Sequence, residues 1–311
     1  MLPALALDPR PGENILDMAA APGGKTCQMA ALSGGGAFIT SAFIRWRHPE
    51  AVRMRVYGHI IAPVAVIIGL VLLMFDATAG LQNPLRFALL LSNFNSVMTW
   101  GVVFLGLFVI VSLIVAVLDL LHRDIPVALD IVGSVLGLCV AVYTGCLLGV
   151  CKTFPLWNNA LLPILFLVSA VSTGMASVLV AAIIRHPEEF NRVGVLKKFH
   201  FCLPIIELVL IASLCFITAN DASGAGAASV AKLIAGTYAP AFWVLLVIVG
   251  LVLPTVLETR MLFFTSREFE TSRKAHWISF ASDVGVLVGG FVLRLLILLA
   301  ALPITMVVPW V

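Results

Sequence analysis

Charged residues are scarce in this sequence. Of its 311 residues, 11% are charged and 61% are hydrophobic, whereas soluble domains carry about 25% charged residues. A soluble fold of this length could not hide so many apolar side chains, because the folded surface falls only slowly relative to chain length. The composition therefore excludes a soluble enzyme for most of the chain, and it also excludes disorder. The solvent that this chain requires is a lipid bilayer.

Cysteine is too sparse to hold an iron–sulfur cluster or another metal centre. The six cysteines mostly lie in apolar segments, where cysteine behaves as a small hydrophobic residue. An iron–sulfur cluster needs four cysteine ligands close together, and the sequence has no such group. Cys146 and Cys151, spaced C-x4-C, are either a disulfide on an oxidising face or two free thiols.

Long apolar runs dominate the rest of the chain. A spanning helix needs about 20 apolar residues, and seven runs qualify, with an eighth at 27–44 that is uncharged but holds three consecutive glycines suited to close helix packing. We therefore predict an all-α integral membrane protein with about eight spans. They are 27–44, 57–76, 98–119, 126–150, 159–184, 201–219, 240–260 and 279–307.

Basic residues alternate between the loops and predict an orientation. The loops after the first, third, fifth and seventh spans carry 13 Lys and Arg residues, and those after the other spans carry three. The positive-inside rule assigns the first set to the cytoplasm. We expect a multi-pass protein of the cytoplasmic membrane with both termini outside.

Histidines are confined to the predicted cytoplasmic side. His59 lies within one turn of the end of a predicted helix. The other five lie at or beyond the helix ends: His48, His122, His186, His200 and His276. A haem held by two histidines is thereby excluded at the outer side and disfavoured at the inner side. A redox role would need a bound organic carrier and an electron-transfer partner.

The first 33 residues differ in character from the rest. Asn14–Met18 is predicted as a strand, Ala21–Gly24 as a tight turn and Lys25 as a helix start, an arrangement whose backbone amides can approach a nucleotide. The stretch PGENILDMAAAPGGKT resembles the S-adenosylmethionine motif of RNA cytosine-5 methyltransferases, which implies cofactor binding through Ala20–Gly24. A single strand and turn cannot form a doubly wound sheet, so we interpret 1–33 as an orphan segment. It is a gene fusion, a recombination scar or a chimera.

Residues 34–311 resemble the NrfD/polysulfide-reductase family of membrane subunits. The stretches that carry the resemblance are GGGAFITSAFIRW (34–46), FDATAGLQNPLRF with NFNSVMTWG (75–101), YTGCLLG (143–149) and TFPLWNNALLPILFLVSAVSTGMA (153–176). The resemblance implies two four-helix bundles. It also implies a membrane anchor that catalyses nothing alone. Such subunits exchange electrons between menaquinone or ubiquinone and a four-cluster iron–sulfur subunit, which is joined to a molybdopterin catalytic subunit.

Tyr143 is the strongest candidate for a quinone site. It is predicted near the outer end of its span, where a phenol can hydrogen-bond a quinone carbonyl and Gly145 leaves space for the ring. In the resembled family a tyrosine at this motif serves quinone binding. The alternative is an aromatic-belt residue at the membrane interface.

Ionisable residues inside the predicted spans are expensive in lipid and mark function by default. Asp283 and Arg294 are 11 residues apart, close to three helical turns, and so share one face. The candidates for a proton path from the cytoplasm, or for structural ion pairs, are Asp130, Glu207, Glu258, Asp283 and Arg294.

The outer loops offer a surface for the iron–sulfur partner. Candidate docking residues are Asp76, Arg86, Asn93, Asn95 and Trp100, and a folded loop would explain them equally well. The sequence therefore predicts a quinone-reactive subunit of a multi-subunit oxidoreductase, in contact with lipid and not with nucleic acid. The rivals are a transporter-like bundle, for which Pro163, Pro204, Pro254 and Pro303 leave room, and the methyltransferase fragment.

Overall fold

The structure is a computed structural model that describes residues 22–76, 97–190, 193–222, 224–263 and 273–304. Within these ranges all regular structure is helical. The helices are α1 Pro22–Arg47, α2 Val52–Asp76, α3 Val97–Leu120, α4 Val127–Gly149, α5 Leu161–Arg185, α6 Pro187–Phe190, α7 Gly194–Ala219, α8 Ala225–Ile234, α9 (π-helical Ala241–Val252 continued by α-helical Leu253–Phe263) and α10 Arg273–Ala300.

Seven of these helices, α2, α3, α4, α5, α7, α9 and α10, are long and apolar enough to cross a membrane. With the 26-residue α1, which contains the predicted span 27–44, they confirm an all-α integral membrane fold of about eight long helices. The predicted start of α7 at 201 is seven residues later than the observed Gly194, and the predicted end of α10 is also wrong by seven residues, because α10 stops at Ala300 instead of residue 307. Pro303 explains this, because a helix usually ends before the residue that precedes a proline.

The long helices form two rings of four. In the first bundle α1 packs on α2, α2 on α3, α3 on α4 and α4 on α1; in the second, α5, α7, α9 and α10 close a ring in the same order. Contacts from α5 to α1, α2 and α4 join the bundles. Here "basic end" means the end where Arg45, Arg55, Arg123, Arg185 and Arg260 lie, and the opposite end is called the far end.

Three consecutive glycines let α1 touch three other helices. A Cβ on Gly34 would collide with the backbone of Ala62 on α2, one on Gly35 would lie 2.7 Å from the carbonyl oxygen of Gly137 on α4, and one on Gly36 would overlap α5. Only glycine permits such approach. The expectation that this run serves close packing in lipid is confirmed.

One local prediction is wrong, and two local features were not predicted. The tight turn predicted at Ala21–Gly24 is not present in its described part, because Pro22–Gly24 forms the first turn of α1, a position where proline's missing N–H costs nothing. The segment 218–240 contains α8, whose Ser229 hydroxyl accepts a hydrogen bond from the Leu302 amide at 2.9 Å. The first half of α9 is π-helical, which hydropathy does not reveal.

Candidate functional site

Tyr143 lies on α4, six residues before the end of the helix at the far end. Its side chain is half-buried, and its ring lies against Gly101 on α3 so closely that a Cβ on Gly101 would overlap the ring. Residue 101 thus has to be glycine for the ring to sit there. The sequence analysis did not identify Gly101, although it falls in the quoted stretch NFNSVMTWG.

Gly145 has a packing role in the structure. A Cβ on Gly145 would overlap the backbone of Pro163 on α5, so the space that this glycine leaves is filled by the neighbouring helix.

Two of the five candidate docking residues, Asp76 and Trp100, lie among the described residues, and both are at the far end. Trp100 is 47% exposed in the first turn of α3, with its ring centroid 5.9 Å from that of Phe104. Asp76 is the last residue of α2. Arg86, Asn93 and Asn95 lie outside the described residues. The docking surface therefore stays a prediction.

The second bundle holds a buried ionisable cluster at the basic end. His200 Nδ1 lies 2.8 Å from a carboxylate oxygen of Glu258 and 3.6 Å from one of Asp283. His200 and Asp283 are 1% and 2% exposed, so these charges are almost removed from solvent. A cavity of about 30 Å³ adjoins the cluster and is lined in part by Lys197 and Phe190. The sequence analysis singled out both carboxylates and missed His200 as their partner.

A second pair of buried charges lies deeper in the same bundle. Arg294 on α10 is 1% and Glu207 on α7 is 3% exposed, and the two groups interact electrostatically inside the bundle. Arg294 donates through Nη1 to the Gly290 carbonyl oxygen at 2.7 Å. Within the described part of the chain its Nε and Nη2, and Oε1 of Glu207, have no hydrogen-bond partner. The carboxylate that interacts electrostatically with Arg294 is thus that of Glu207.

The first bundle has its own ionisable cluster, which the sequence analysis largely missed. Asp119 is 3% exposed and is held by Arg55 at 2.5 Å and by Nδ1 of the fully buried His59 at 2.6 Å. Arg45 forms an ion pair with Asp130 and also donates to the Ile125 carbonyl oxygen at 2.6 Å. Of the five candidates for a proton path or for structural ion pairs, Asp130 thus forms an ion pair with Arg45. Its location one turn inside a span, at the end of the helices where the arginine-rich segment 45–55 also lies, was the available signal.

The described cysteines and two further histidines, His48 and His186, have contacts that are ordinary for packed helices and their ends. The five described cysteines, among them Cys146 and Cys151, are free thiols. His48 and His186 make contacts at the basic end, to Glu50 at 3.3 Å and to Arg53 at 3.0 Å. The histidines therefore gather at one end, as the sequence predicts.

The matches to known protein families divide the chain into the same two parts as the sequence analysis, a short N-terminal segment and a long membrane part. A sequence model described as 16S rRNA methyltransferase RsmB/F matches residues 4–50, so the predicted likeness of the N-terminal segment is found. A second model, described as Polysulphide reductase, NrfD, matches residues 29–305. The two matches overlap at residues 29–50, and α1 runs without a break through this overlap as far as Arg47.

Curated relatives cover most of the chain. The C subunit of the polysulfide reductase of Wolinella succinogenes is 32% identical over 262 residues, which are 75% of this chain and 80% of the relative. The protein NrfD homolog of Haemophilus influenzae is 28% identical over 276 residues, 78% of this chain and 80% of the relative. Protein NrfD of Escherichia coli is 29% identical over 230 residues, with shares of 64% and 70%. With a family match over nearly all of the described helices, this chain belongs to the NrfD polysulphide reductase family.

Proposed function

We propose that this chain is the membrane subunit of a respiratory oxidoreductase, in which it exchanges electrons between a menaquinone or ubiquinone pool and an iron–sulfur subunit. Its partners in this proposal are a four-cluster iron–sulfur subunit and a molybdopterin catalytic subunit, docked at the far end. One relative is named as the C component of a polysulfide reductase, a name that supports a role as one subunit among several.

The observation that supports the proposal most directly is the packing of the Tyr143 side chain. Its ring is fixed against Gly101 between α3 and α4, and its side chain is only half-buried at the far end. A tyrosine hydroxyl held this way can donate a hydrogen bond to a quinone carbonyl that approaches from the lipid. Bound quinone would supply the two-electron, two-proton chemistry, while the chain would bind and orient it.

The orientation follows from the charges at the helix ends. The basic end holds the arginines of α1, α2, α5 and α9, and we assign it to the cytoplasm by the positive-inside rule. Tyr143 and Trp100 then lie near the outer surface, where an extracytoplasmic partner can reach them. Electron exchange would take place close to that partner.

The test is Tyr143→Phe in the assembled complex, with quinol-linked and artificial-donor electron transfer measured separately. Loss of one hydrogen bond of about 1 kcal/mol should weaken quinone binding about fivefold and raise the KM for quinol. Artificial-donor activity should not change. Tyr238→Phe is the control, because Tyr238 also lies at the far end but in the second bundle, against Lys232. Equal quinol kinetics in the wild type and Tyr143→Phe would contradict the proposal.

A further inference from the structure

The two bundles repeat one ionisable arrangement. The second helix of each bundle enters from the basic end and carries a buried histidine followed four residues later by a proline: His59 and Pro63 on α2, His200 and Pro204 on α7. Proline has no N–H to bond the carbonyl four residues earlier, so each proline leaves the histidine's own carbonyl outside the helical ladder. The two histidine side chains also have similar partners.

Each histidine meets a carboxylate from the third helix of its bundle. Nδ1 of His59 lies 2.6 Å from Asp119 on α3, and Nδ1 of His200 lies 2.8 Å from Glu258 on α9. The fourth helix of each bundle then adds a second buried carboxylate near the basic end. These are Asp130 on α4 and Asp283 on α10. Both bundles thus hold one histidine and two carboxylates.

The bundles differ in the cations that balance these carboxylates. In the first bundle each carboxylate has its own guanidinium: Arg55 for Asp119 and Arg45 for Asp130. Arg55 stands four residues before His59; four residues before His200 is Leu196, which is fully buried. The first cluster therefore balances its two negative charges with two permanent positive charges.

The second cluster lacks that permanent balance among the described residues. The charged groups that face His200 are Glu258 from α9, Asp283 from α10 and Lys197 on α7, which lines the same cavity. Two carboxylates and one lysine leave one negative charge, and a proton on His200 cancels it. Burying an unbalanced charge costs several kcal/mol, so the cluster should hold that proton at neutral pH.

Unpartnered atoms continue from this cluster toward the middle of the bundle. Within the described residues, the hydroxyls of Ser172 and Ser169 on α5 have no hydrogen-bond partner although both are fully buried. Ser169 lies beside Glu207, whose own Oε1 is also unpartnered. Buried groups of this kind are normally satisfied by internal water, and hydroxyls with water form a path for protons.

The part of the first bundle that the structure describes has no such continuation. Glu207 lies seven residues after His200, and the residue seven after His59 is Val66; Arg294 lies eleven residues after Asp283, and the residue eleven after Asp130 is Ala141. Val66 and Ala141 are fully buried. Among the described residues, the deeper pair of opposite charges, Glu207 and Arg294, therefore belongs to the second bundle alone.

We infer that the His200–Glu258–Asp283 cluster is an exchangeable proton site, loaded through the cavity at the basic end and connected by Ser172 and Ser169 to Glu207 and Arg294. The corresponding cluster of the first bundle, locked by its arginines, is structural. Asp130 therefore drops out of the proton path considered from the sequence, and His200 enters it. The site does not depend on quinone binding at Tyr143.

The test counts protons on the purified full-length chain. An indicator dye measures the protons released when the pH is raised from neutral to about 10. His200→Gln should release about one proton per chain fewer than the wild type. His59→Gln, the matched histidine of the first bundle, should release the same number as the wild type. Size-exclusion profiles verify that both variants are folded.

Glu258→Gln provides a second measurement if His200→Gln does not fold. Removal of one carboxylate leaves Lys197 to balance Asp283, so this variant should also hold about one proton fewer. Equal proton counts for the wild type and His200→Gln, or equal losses for His200→Gln and His59→Gln, would overturn the inference. Stoichiometric divalent metal in the purified protein would overturn it as well, because the metal would be the missing cation.

A second arm separates this site from the quinone proposal. In proteoliposomes that contain the assembled complex, Glu207→Gln should slow proton uptake from the basic side and leave the KM for quinol unchanged. Tyr143→Phe should raise the KM for quinol and leave proton uptake from the basic side unchanged. If Tyr143→Phe has no effect while the proton count still depends on His200, the quinone proposal fails and the proton site stands.

Discussion

Gly101→Ala tests whether the contact between Gly101 and the Tyr143 ring positions Tyr143. The added methyl would overlap the Tyr143 ring, and overpacking of this kind costs about 1–3 kcal/mol. Alanine also gains about 1 kcal/mol over glycine in a helix, which offsets part of that cost. Gly106→Ala is the matched control on the same helix, because nothing lies within 4 Å of its new Cβ.

The two variants should therefore separate clearly. Gly106→Ala should melt at or above the wild-type temperature, and Gly101→Ala below it. If the ring of Tyr143 moves to relieve the overlap, its hydrogen bond to quinone is lost and the KM for quinol rises about fivefold. Melting in detergent and quinol-linked turnover measure the two effects. Identical melting and identical turnover for both alanine variants would refute the reasoning that Gly101 positions Tyr143.

Two further predictions concern the first bundle and the orientation. Asp119→Asn leaves Arg55 and His59 without their anion and should lower the free energy of unfolding, measured by denaturant titration, by about 3–5 kcal/mol. The control Asp124→Asn changes an exposed position and should have little effect. Equal stability of the two variants would contradict the structural role of Asp119. A reporter fused after Val311 should be active outside the cytoplasm, and a reporter active only inside would contradict the orientation.

Hydropathy was sufficient to predict the membrane part of the fold. Apolar runs of about 20 residues can satisfy their backbone in lipid only as helices, so the spans and their approximate ends follow from composition. The glycine run 34–36 likewise predicted close packing, because small residues are what permits it. These features depend on local sequence alone.

The ion-pair partners did not follow from the sequence. Arg45 and Asp130 are 85 residues apart, and His200 and Glu258 are 58 apart. Which buried charge meets which depends on the rotation of each helix and on the order of helices around the bundle. Periodicity placed Asp283 and Arg294 on one face but could not name His200.

The local departures have similar causes. α8 is short and lies in a segment rich in small residues, so its stability comes from its packing on α7, α9 and α10 rather than from helix propensity. The π-helical half of α9 changes the hydrogen-bond register without any change in hydropathy. Both features need the tertiary structure to be seen.

A photoreactive quinone analogue tests the central claim most directly. The probe is activated in membranes that contain the assembled complex, and the labelled peptides are then identified by mass spectrometry. The account predicts label on the facing segments of α3 and α4 around Gly101 and Tyr143, with loss of that label when excess unmodified quinone competes. Label confined to other helices, or label that excess quinone does not displace, would contradict it.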